Sequence, residues 1–231
     1  MVKKYNVKGF AFIGRTFDEY QKMFDLNEDE LKSNTFLDCP SGACSFVSEA
    51  HQKGIPATAC DIEYDKSFDH FQKQCDEEIE KIKLGFSGAE DLFDWSFYIN
   101  LDRLLTYRKK AAMLFLEDYK KRANYYVQRK LPILGFSDNQ FDIVLSGHFL
   151  FLYADRLDFN FHLASILELI RVAKKEVRIY PLIALDGSSY TQMEKLLDAI
   201  SAQGYQSRIK DIDFEFLKGS SQMLSIRKIA R

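Results

Sequence analysis

Residues Thr35 to Phe46 read TFLDCPSGACSF. A short apolar run, Thr35-Phe36-Leu37, stops at an acid, Asp38. A tight turn through Pro40, Ser41 and Gly42 follows, then the small residues Ala43, Cys44 and Ser45, then a helical run from Phe46 through His51. A strand that ends in an acid and turns through glycine into a helix sets backbone N–H groups and a carboxylate at the carboxyl edge of a sheet. That edge is where open α/β folds bind ligands. Past the turn, Ala57-Thr58-Ala59-Cys60 reads as a second strand, and it too ends in an acid, Asp61. Strand, glycine turn, helix, strand, acid is the skeleton of a nucleoside-binding βαβ unit. Gly54 and Pro56 supply the helix stop between its two strands.

Upstream of this unit, Thr16 caps an expected helix through Phe17, Tyr20, Met23 and Phe24, whose spacing is helical. Residues 27–34 read as a polar approach to the first strand. Downstream, 62–124 is far more chain than one crossover helix requires. Phe68 to Leu84 is expected to be a helix with Phe68, Phe71, Cys75, Ile79 and Ile82 on one face, broken by Gly85 and Gly88. Residues 89–124 then read as one long or two shorter helices rich in aromatics, among them Phe93, Trp95, Phe97, Tyr98 and Phe115. From Arg103 to Lys130 basic residues, Arg108 included, face only Glu117 and Asp118.

The βα rhythm returns at residue 125. Tyr125-Tyr126-Val127 reads as a short strand and FDIVLS (Phe141 to Ser146) as a buried one. A helix over Phe159 to Ala173, a strand over Glu176 to Leu182 and a helix over Tyr190 to Gln203 follow. Two terminal strands, Gln206 to Ile212 and Met223 to Ile229, read as an antiparallel hairpin at a sheet edge.

A chain of 231 residues with 46% hydrophobic content is expected to build one large α/β domain, or a domain with an insertion. A net charge of −2 gives no global drive toward nucleic acid or anionic membrane. No apolar run approaches the ~20 residues a membrane helix needs. The start, MVKKYNVKGFAFIGR, is too short and too polar for a signal peptide. Cys39, Cys44, Cys60 and Cys75 are read as reduced thiols of a cytoplasmic protein. Their spacing contains no C-x-x-C pair and fits no common zinc finger, so no metal is expected.

FLDCPSGACSF, the acid Asp61, SDNQFDIVLSGHFLF, the following helix and EVRIYPL, and the closing hairpin together resemble a Rossmann-like S-adenosylmethionine-dependent methyltransferase. The resemblance covers 35–61 and 125–231. GRTFDEYQKMFDL is similar to the lead-in of an uncharacterised bacterial subgroup. It implies an α/β fold with a sheet of about seven strands, one of them antiparallel in the last hairpin, and helices on both faces. Residues 1–231 would form a single methyltransferase domain, with an N-terminal helical segment 1–34 and a helical lid or insertion 62–124. S-adenosylmethionine would lie across the tips of the first, second and fourth strands, with S-adenosylhomocysteine as product. The superfamily's glycine positions fall here on Pro40, Gly42 and Cys44, and only one is glycine. After the third strand, where many members place an acid, stand Arg129 and Lys130.

The resemblance implies that Asp61 accepts hydrogen bonds from the ribose hydroxyls; the alternative is a helix cap in a βα loop. Asp38 would hold the donor's amino group or simply organise the loop. Gly42 would let backbone approach the methionine moiety, beside Cys39, Pro40 and Phe46, or is a plain turn glycine. Leu131 to Phe136 would supply backbone contacts and apolar cover to adenine, and Ile62 would contact the donor beside Asp61. Ser146 and Gly147 would line the donor beside the methyl position. Arg15 would meet the donor carboxylate, with Tyr20 closing over it. His148 is the candidate base for an acceptor that must lose a proton; its alternative is a packing or donor-contacting histidine. His162 reads as structural.

The expected activity is methyl transfer to a small-molecule acceptor. The alternatives are an RNA methyltransferase, suggested by the basic run 103–130, a non-catalytic donor-binding or regulatory protein, and a nicotinamide-dependent oxidoreductase. The absence of G-x-G-x-x-G after the first strand argues against the last.

Overall fold

The computed structural model describes residues 9–86 and 89–228. The opening MVKKYNVK, the expected helix break at Gly88 and the expected strand end at Ile229 lie outside the described residues. Seven strands form one sheet: β1 (Phe36–Asp38), β2 (Ala57–Asp61), β3 (Tyr126–Gln128), β4 (Phe141–Gly147), β5 (Ala173–Tyr180), β6 (Tyr205–Asp211) and β7 (Gln222–Lys228). Their order is β3-β2-β1-β4-β5-β7-β6. The first five are mutually parallel, and β7 runs antiparallel to both β5 and β6. This is the sheet that the methyltransferase resemblance implied, with its antiparallel strand in the last hairpin.

Alternation along the strands feeds two cores, one on each face. Leu37, Val144, Val177 and Ile179 point to the face covered by α6 (Phe159–Val172) and α7 (Met193–Ala202), where Ile166, Leu169, Leu196 and Ile200 are buried. Phe36, Ile143, Leu145 and Tyr180 point to the other face. There they meet α1 (Phe17–Met23), α3 (Phe46–Gln52), α4 (Phe68–Gly85) and α5 (Leu101–Lys121) through Tyr20, Phe46, Phe71 and Phe115.

Two features depart from the sequence reading. The polar approach to β1 contains a helix, α2 (Glu28–Ser33), started by Asn27 and Glu30, whose side chains bond each other's backbone N–H as a capping box. And β5 begins at Ala173, three residues earlier than its apolar run suggests, because the helix before it passes straight into the strand. Arg178, in the middle of β5, is 1% exposed. Its guanidinium meets Glu176 at 3.0 Å and Glu30, and donates to the carbonyl of Phe24 at 2.7 Å. This buried ion cluster ties the α1–α2 corner to the sheet.

The segment between β2 and β3 holds α4, a 3-10 turn (Glu90–Leu92), α5 and a second 3-10 turn (Ala123–Tyr125). It crosses the carboxyl edge of the sheet to the far end. Asp94 N–H donates to the carbonyl of Phe216 at 2.8 Å and Lys218 N–H to that of Leu92 at 3.0 Å, around a bridge between Phe93 and Leu217. Among the described residues no helix is long and apolar enough to cross a membrane.

Candidate active site

A cavity of about 500 Å³ runs along the carboxyl edge of the sheet. At one end it is bounded by Arg129, Lys130 and Leu131 after β3, and by Asp61, Ile62 and Glu63 after β2. Its middle meets Cys39, Pro40, Ser41, Gly42 and Cys44 after β1, then Gly147 and His148 at the end of β4. Beyond them lie Tyr180 and Pro181 after β5 and Ser220 before β7. The strap 10–15 and residues of α4 and α5 roof it.

Asp61 sits at the end of β2, 7% exposed, on the cavity wall. Its Oδ2 accepts the Gly42 N–H at 2.9 Å and its Oδ1 the Glu63 N–H at 3.0 Å. Each carboxylate oxygen has capacity for a second donor. Burial raises its pKa, against the hydrogen bonds from Glu63 and Gly42 that favour the charged form. The cap reading and the ligand reading thus apply to the same residue: Asp61 organises the turn and faces the cavity. Gly42 has φ of +54°, a conformation that suits glycine. Its carbonyl accepts the Tyr64 hydroxyl at 2.6 Å.

Asp38 is placed differently from the donor-holding expectation. It is 0% exposed and does not line the cavity. Its Oδ1 and Oδ2 both lie 2.9 Å from the Tyr20 hydroxyl, and Oδ2 accepts from Ser41 Oγ at 2.6 Å. Burial pushes its pKa up to about 7 in spite of these donors. Asp38 is therefore the acid that organises the loop, and Tyr20 stands between it and the cavity. Phe46 is likewise withdrawn, stacked on Tyr20 at 4.7 Å and on Phe17 at 5.4 Å. Ser146 is 1% exposed behind the β4 tip, and its hydroxyl has no partner among the described residues. Cys39, Pro40, Gly42, Asp61, Ile62, Leu131, Gly147, His148 and Arg15 do line the cavity. All four cysteines are free and buried.

The strap reaches the loop by close backbone contact. A Cβ on Gly14 would fall 2.1 Å from the carbonyl oxygen of Ala43. Arg15 N–H donates to Cys44 Sγ at 3.2 Å, and Ser45 N–H to the Arg15 carbonyl at 3.0 Å. The α1 N-terminus that follows is held by Glu19, whose Oε2 accepts the Thr16 N–H at 2.7 Å and its hydroxyl at 3.0 Å.

Glu19 also brings in residues that the sequence reading missed. It is 0% exposed, and its Oε1 lies 2.7 Å from Arg108 Nη1 and 3.7 Å from Arg15 Nε. Tyr98 donates to the same oxygen and accepts from Arg108 Nη2 at 2.9 Å. Burial alone would raise the Glu19 carboxyl, but the Arg108 and Arg15 charges outweigh it and hold its pKa below the ordinary value. In sequence Arg108 is one member of the basic run 103–130. In the fold it is a buried partner of an acid 89 residues away, and it lines the cavity.

His148 follows β4 with φ of +53°, the left-handed region that a non-glycine residue seldom adopts. Its N–H donates to the Tyr180 carbonyl at 2.6 Å, and its ring meets the Tyr180 ring at 5.3 Å. Burial, then the charges of Arg15 and Arg108, depress its pKa well below the ordinary histidine value. The ring is neutral at pH 7 and has no hydrogen-bond partner among the described residues. Across from it, Tyr180 and Ser220 share a hydrogen bond of 3.0 Å between hydroxyls. His162 is structural, as expected: its ring nitrogens lie 2.7 Å and 2.9 Å from the carbonyls of Asp158 and Leu150.

No family model matches the chain. Among solved structures it is similar to the PH0226 protein of Pyrococcus horikoshii OT3. That likeness has 12% identity, a TM-score of 0.50 and coverage of 92% of this chain and 90% of the other, and it shows the fold. A further similar structure is magnesium protoporphyrin IX methyltransferase of Synechocystis PCC 6803 with bound SAM, with 12% identity, a TM-score of 0.48 and coverage of 87% and 73%. Among curated proteins it is similar to the uncharacterized protein MJ0045 of Methanocaldococcus jannaschii. This relative is archaeal, so the bacterial grouping is not carried further. With 35% identity over 224 residues, spanning 96% of this chain and 98% of its relative, the chain belongs to the family of MJ0045.

Proposed function

We propose that the protein is an S-adenosylmethionine-dependent methyltransferase acting on a small-molecule acceptor, with 1–231 forming one domain. The observation that carries this reading is Asp61. Its carboxylate lies at the tip of β2 on the wall of a cavity that crosses the tips of β2, β1 and β4, and it is tethered to the glycine loop of β1.

The wall fits the donor in its parts. Two carboxylate oxygens, each with spare accepting capacity, suit a pair of ribose hydroxyls. Ile62, 47% exposed at the cavity rim, and Leu131 give apolar cover for a flat base. The tip of β3 carries Gln128, Arg129 and Lys130 and no acid, so contact to the base's amino group falls to backbone. Gly147 removes a side chain beside the β4 tip. Bound there, S-adenosylmethionine supplies a methyl group on a sulfonium centre that a nucleophile displaces in line.

The chain's own residues align that displacement and keep water out. The aromatic roof excludes solvent. His148 presents a neutral ring to the cavity and takes the acceptor's proton at a ring nitrogen. Its depressed pKa makes it a weak base, suited to an acceptor whose proton is itself acidic.

Calorimetry with S-adenosylhomocysteine tests the reading. The wild type is expected to bind, and Asp61→Ala to lose tenfold or more, roughly the worth of one or two hydrogen bonds to a charged group. No heat with the wild type, or unchanged affinity in the variant, removes it.

A further inference from the structure

The cavity does not end at His148. Beyond the tips of β4 and β5 it continues into a chamber walled by Phe86, Phe93, Leu104, Tyr153, Leu157 and Phe216. The aromatic rings pack on one another there, Phe86 on Phe93 at 4.4 Å and Phe93 on Phe216 at 4.8 Å. Such a lining accepts an apolar body.

The chamber also carries an unbalanced charge. Arg15 and Arg108 face one carboxylate, Glu19. Arg108 takes its Oε1 at 2.7 Å, and Thr16 occupies its Oε2, which leaves Arg15 at 3.7 Å from Oε1. Arg15 Nη1 donates to the Gly14 carbonyl at 3.3 Å. The other acids nearby are committed elsewhere. Asp38 is off the cavity and held by Tyr20 and Ser41. Glu49 is paired with Lys110 at 3.0 Å. Glu215 accepts from Gly219 and does not line the cavity. Asp61 and Glu63 stand at the opposite end, beside Arg129 and Lys130.

Arg15 faces the chamber. Its Nε lies 3.7 Å from the Glu19 oxygen that Arg108 and Tyr98 also hold, and the Tyr98 ring packs at 4.7 Å on Phe216 of the chamber wall. Its charge acts on His148, Tyr180 and Tyr153, and also on Cys44 after β1. A guanidinium beside an apolar chamber that shares its one carboxylate, at 3.7 Å, with a closer arginine is poorly compensated. Its planar fork matches a ligand carboxylate in bidentate geometry.

We propose that the chamber beyond His148 takes an apolar acceptor bearing a carboxylate, and that Arg15 is the residue that recognises this acid. The inference rests on the methyltransferase reading, in which the β2–β1 half of the cavity holds the donor. It moves Arg15 from the donor's carboxylate to the acceptor's.

The test titrates 2-naphthoate, 2-naphthamide and 2-naphthylmethylamine into the full chain saturated with S-adenosylhomocysteine. In the wild type, naphthoate is expected to bind about tenfold or more tighter than the amide, with the cationic amine weakest. Arg15→Gln brings naphthoate down to the amide's affinity, and Arg15→Lys retains part of the preference. S-adenosylhomocysteine affinity stays within about threefold in both, which also shows that the variants fold. Equal binding of the three probes by the wild type overturns the proposal. So does an Arg15→Gln variant that loses S-adenosylhomocysteine while keeping the naphthoate preference, since Arg15 then serves the donor. Wild type that binds no S-adenosylhomocysteine sinks the donor reading instead, and the probes titrated alone then report on the chamber separately.

Discussion

The Tyr20 hydroxyl lies 2.9 Å from both carboxylate oxygens of Asp38, and Asp38 is sealed off from the cavity that Tyr20 lines. A phenol from the N-terminal helix thus fixes the acid that ends the first strand of the sheet. The floor of the candidate site and its strap are one hydrogen-bonded unit.

This contact carries a pH dependence. Asp38 has a folded pKa of about 7 through burial, against roughly 3.9 in an unfolded chain. A raised folded value means that the native state binds the extra proton. The associated stability is fully present below about pH 4 and is lost as the pH rises through 7, by up to roughly 4 kcal/mol. Urea unfolding of the wild type should therefore show midpoints that fall between pH 5 and 8. Asp38→Asn, although less stable at pH 5 for want of a second acceptor, should have a flatter profile. Parallel profiles for the two proteins would refute the assignment.

Gly14 is required for lack of space. Because a Cβ there would meet the Ala43 carbonyl at 2.1 Å, Gly14→Ala must push the strap off the loop. The expected cost is about 1–3 kcal/mol, with weakened S-adenosylhomocysteine binding. Gly54 is the control: its added Cβ meets nothing within 4 Å, so Gly54→Ala strains only φ, which is +73° there. That variant should keep ligand affinity while losing some stability. Thermal melts and calorimetry on both proteins separate the two effects.

The Glu19–Arg108 pair is buried on both sides, with side chains 0% and 2% exposed. Removing Glu19 strands the buried Arg108, so Glu19→Ala should cost about 3–5 kcal/mol, whereas Arg108→Ala leaves Glu19 the nearby Arg15 and its Thr16 and Tyr98 donors and should cost less. Replacing both by apolar residues, Glu19→Leu with Arg108→Met, should cost far less than the sum. A chemical-denaturation double-mutant cycle measures the coupling. Additive losses would mean that the ion pair is not what holds α5 against α1.

His148 combines a left-handed backbone with a ring turned to the cavity. Backbone strain of this kind costs about 1–3 kcal/mol and persists where surrounding structure enforces it. His148→Gly relieves the strain and deletes the ring. The variant should melt no lower than the wild type while its methyl transfer falls, and His148→Ala should lose both. A His148→Gly protein with full turnover would leave the ring without a role in proton transfer.

The sheet was legible because its signals are local. Apolar runs end in acids, a glycine turn opens a helix, and the last two strands stand as a hairpin. Asp61 was legible for the same reason, since strand end and acid are adjacent. Asp38 has the same local signature, yet the structure turns it inward, because Tyr20 arrives from a helix that local sequence does not place. Arg108 illustrates the other limit. Its neighbours Lys109 and Lys110 made it look like part of a charged face, and only a tertiary contact across 89 residues sets it apart. The short helix α2 had a readable signal in Asn27 and Glu30, masked by the charge around it.

The roof of the chamber is stitched by Asp94, Leu92 and Lys218 to the loop before β7, at the opposite edge of the sheet from β2 and β3, between which the roof is inserted. Specificity in this fold is therefore not a removable cassette. Grafting 62–124 from one relative to another would bring a roof edge cut for a different terminal loop. A workable exchange must move 213–219 with it, so the two segments are expected to vary as one unit of inheritance.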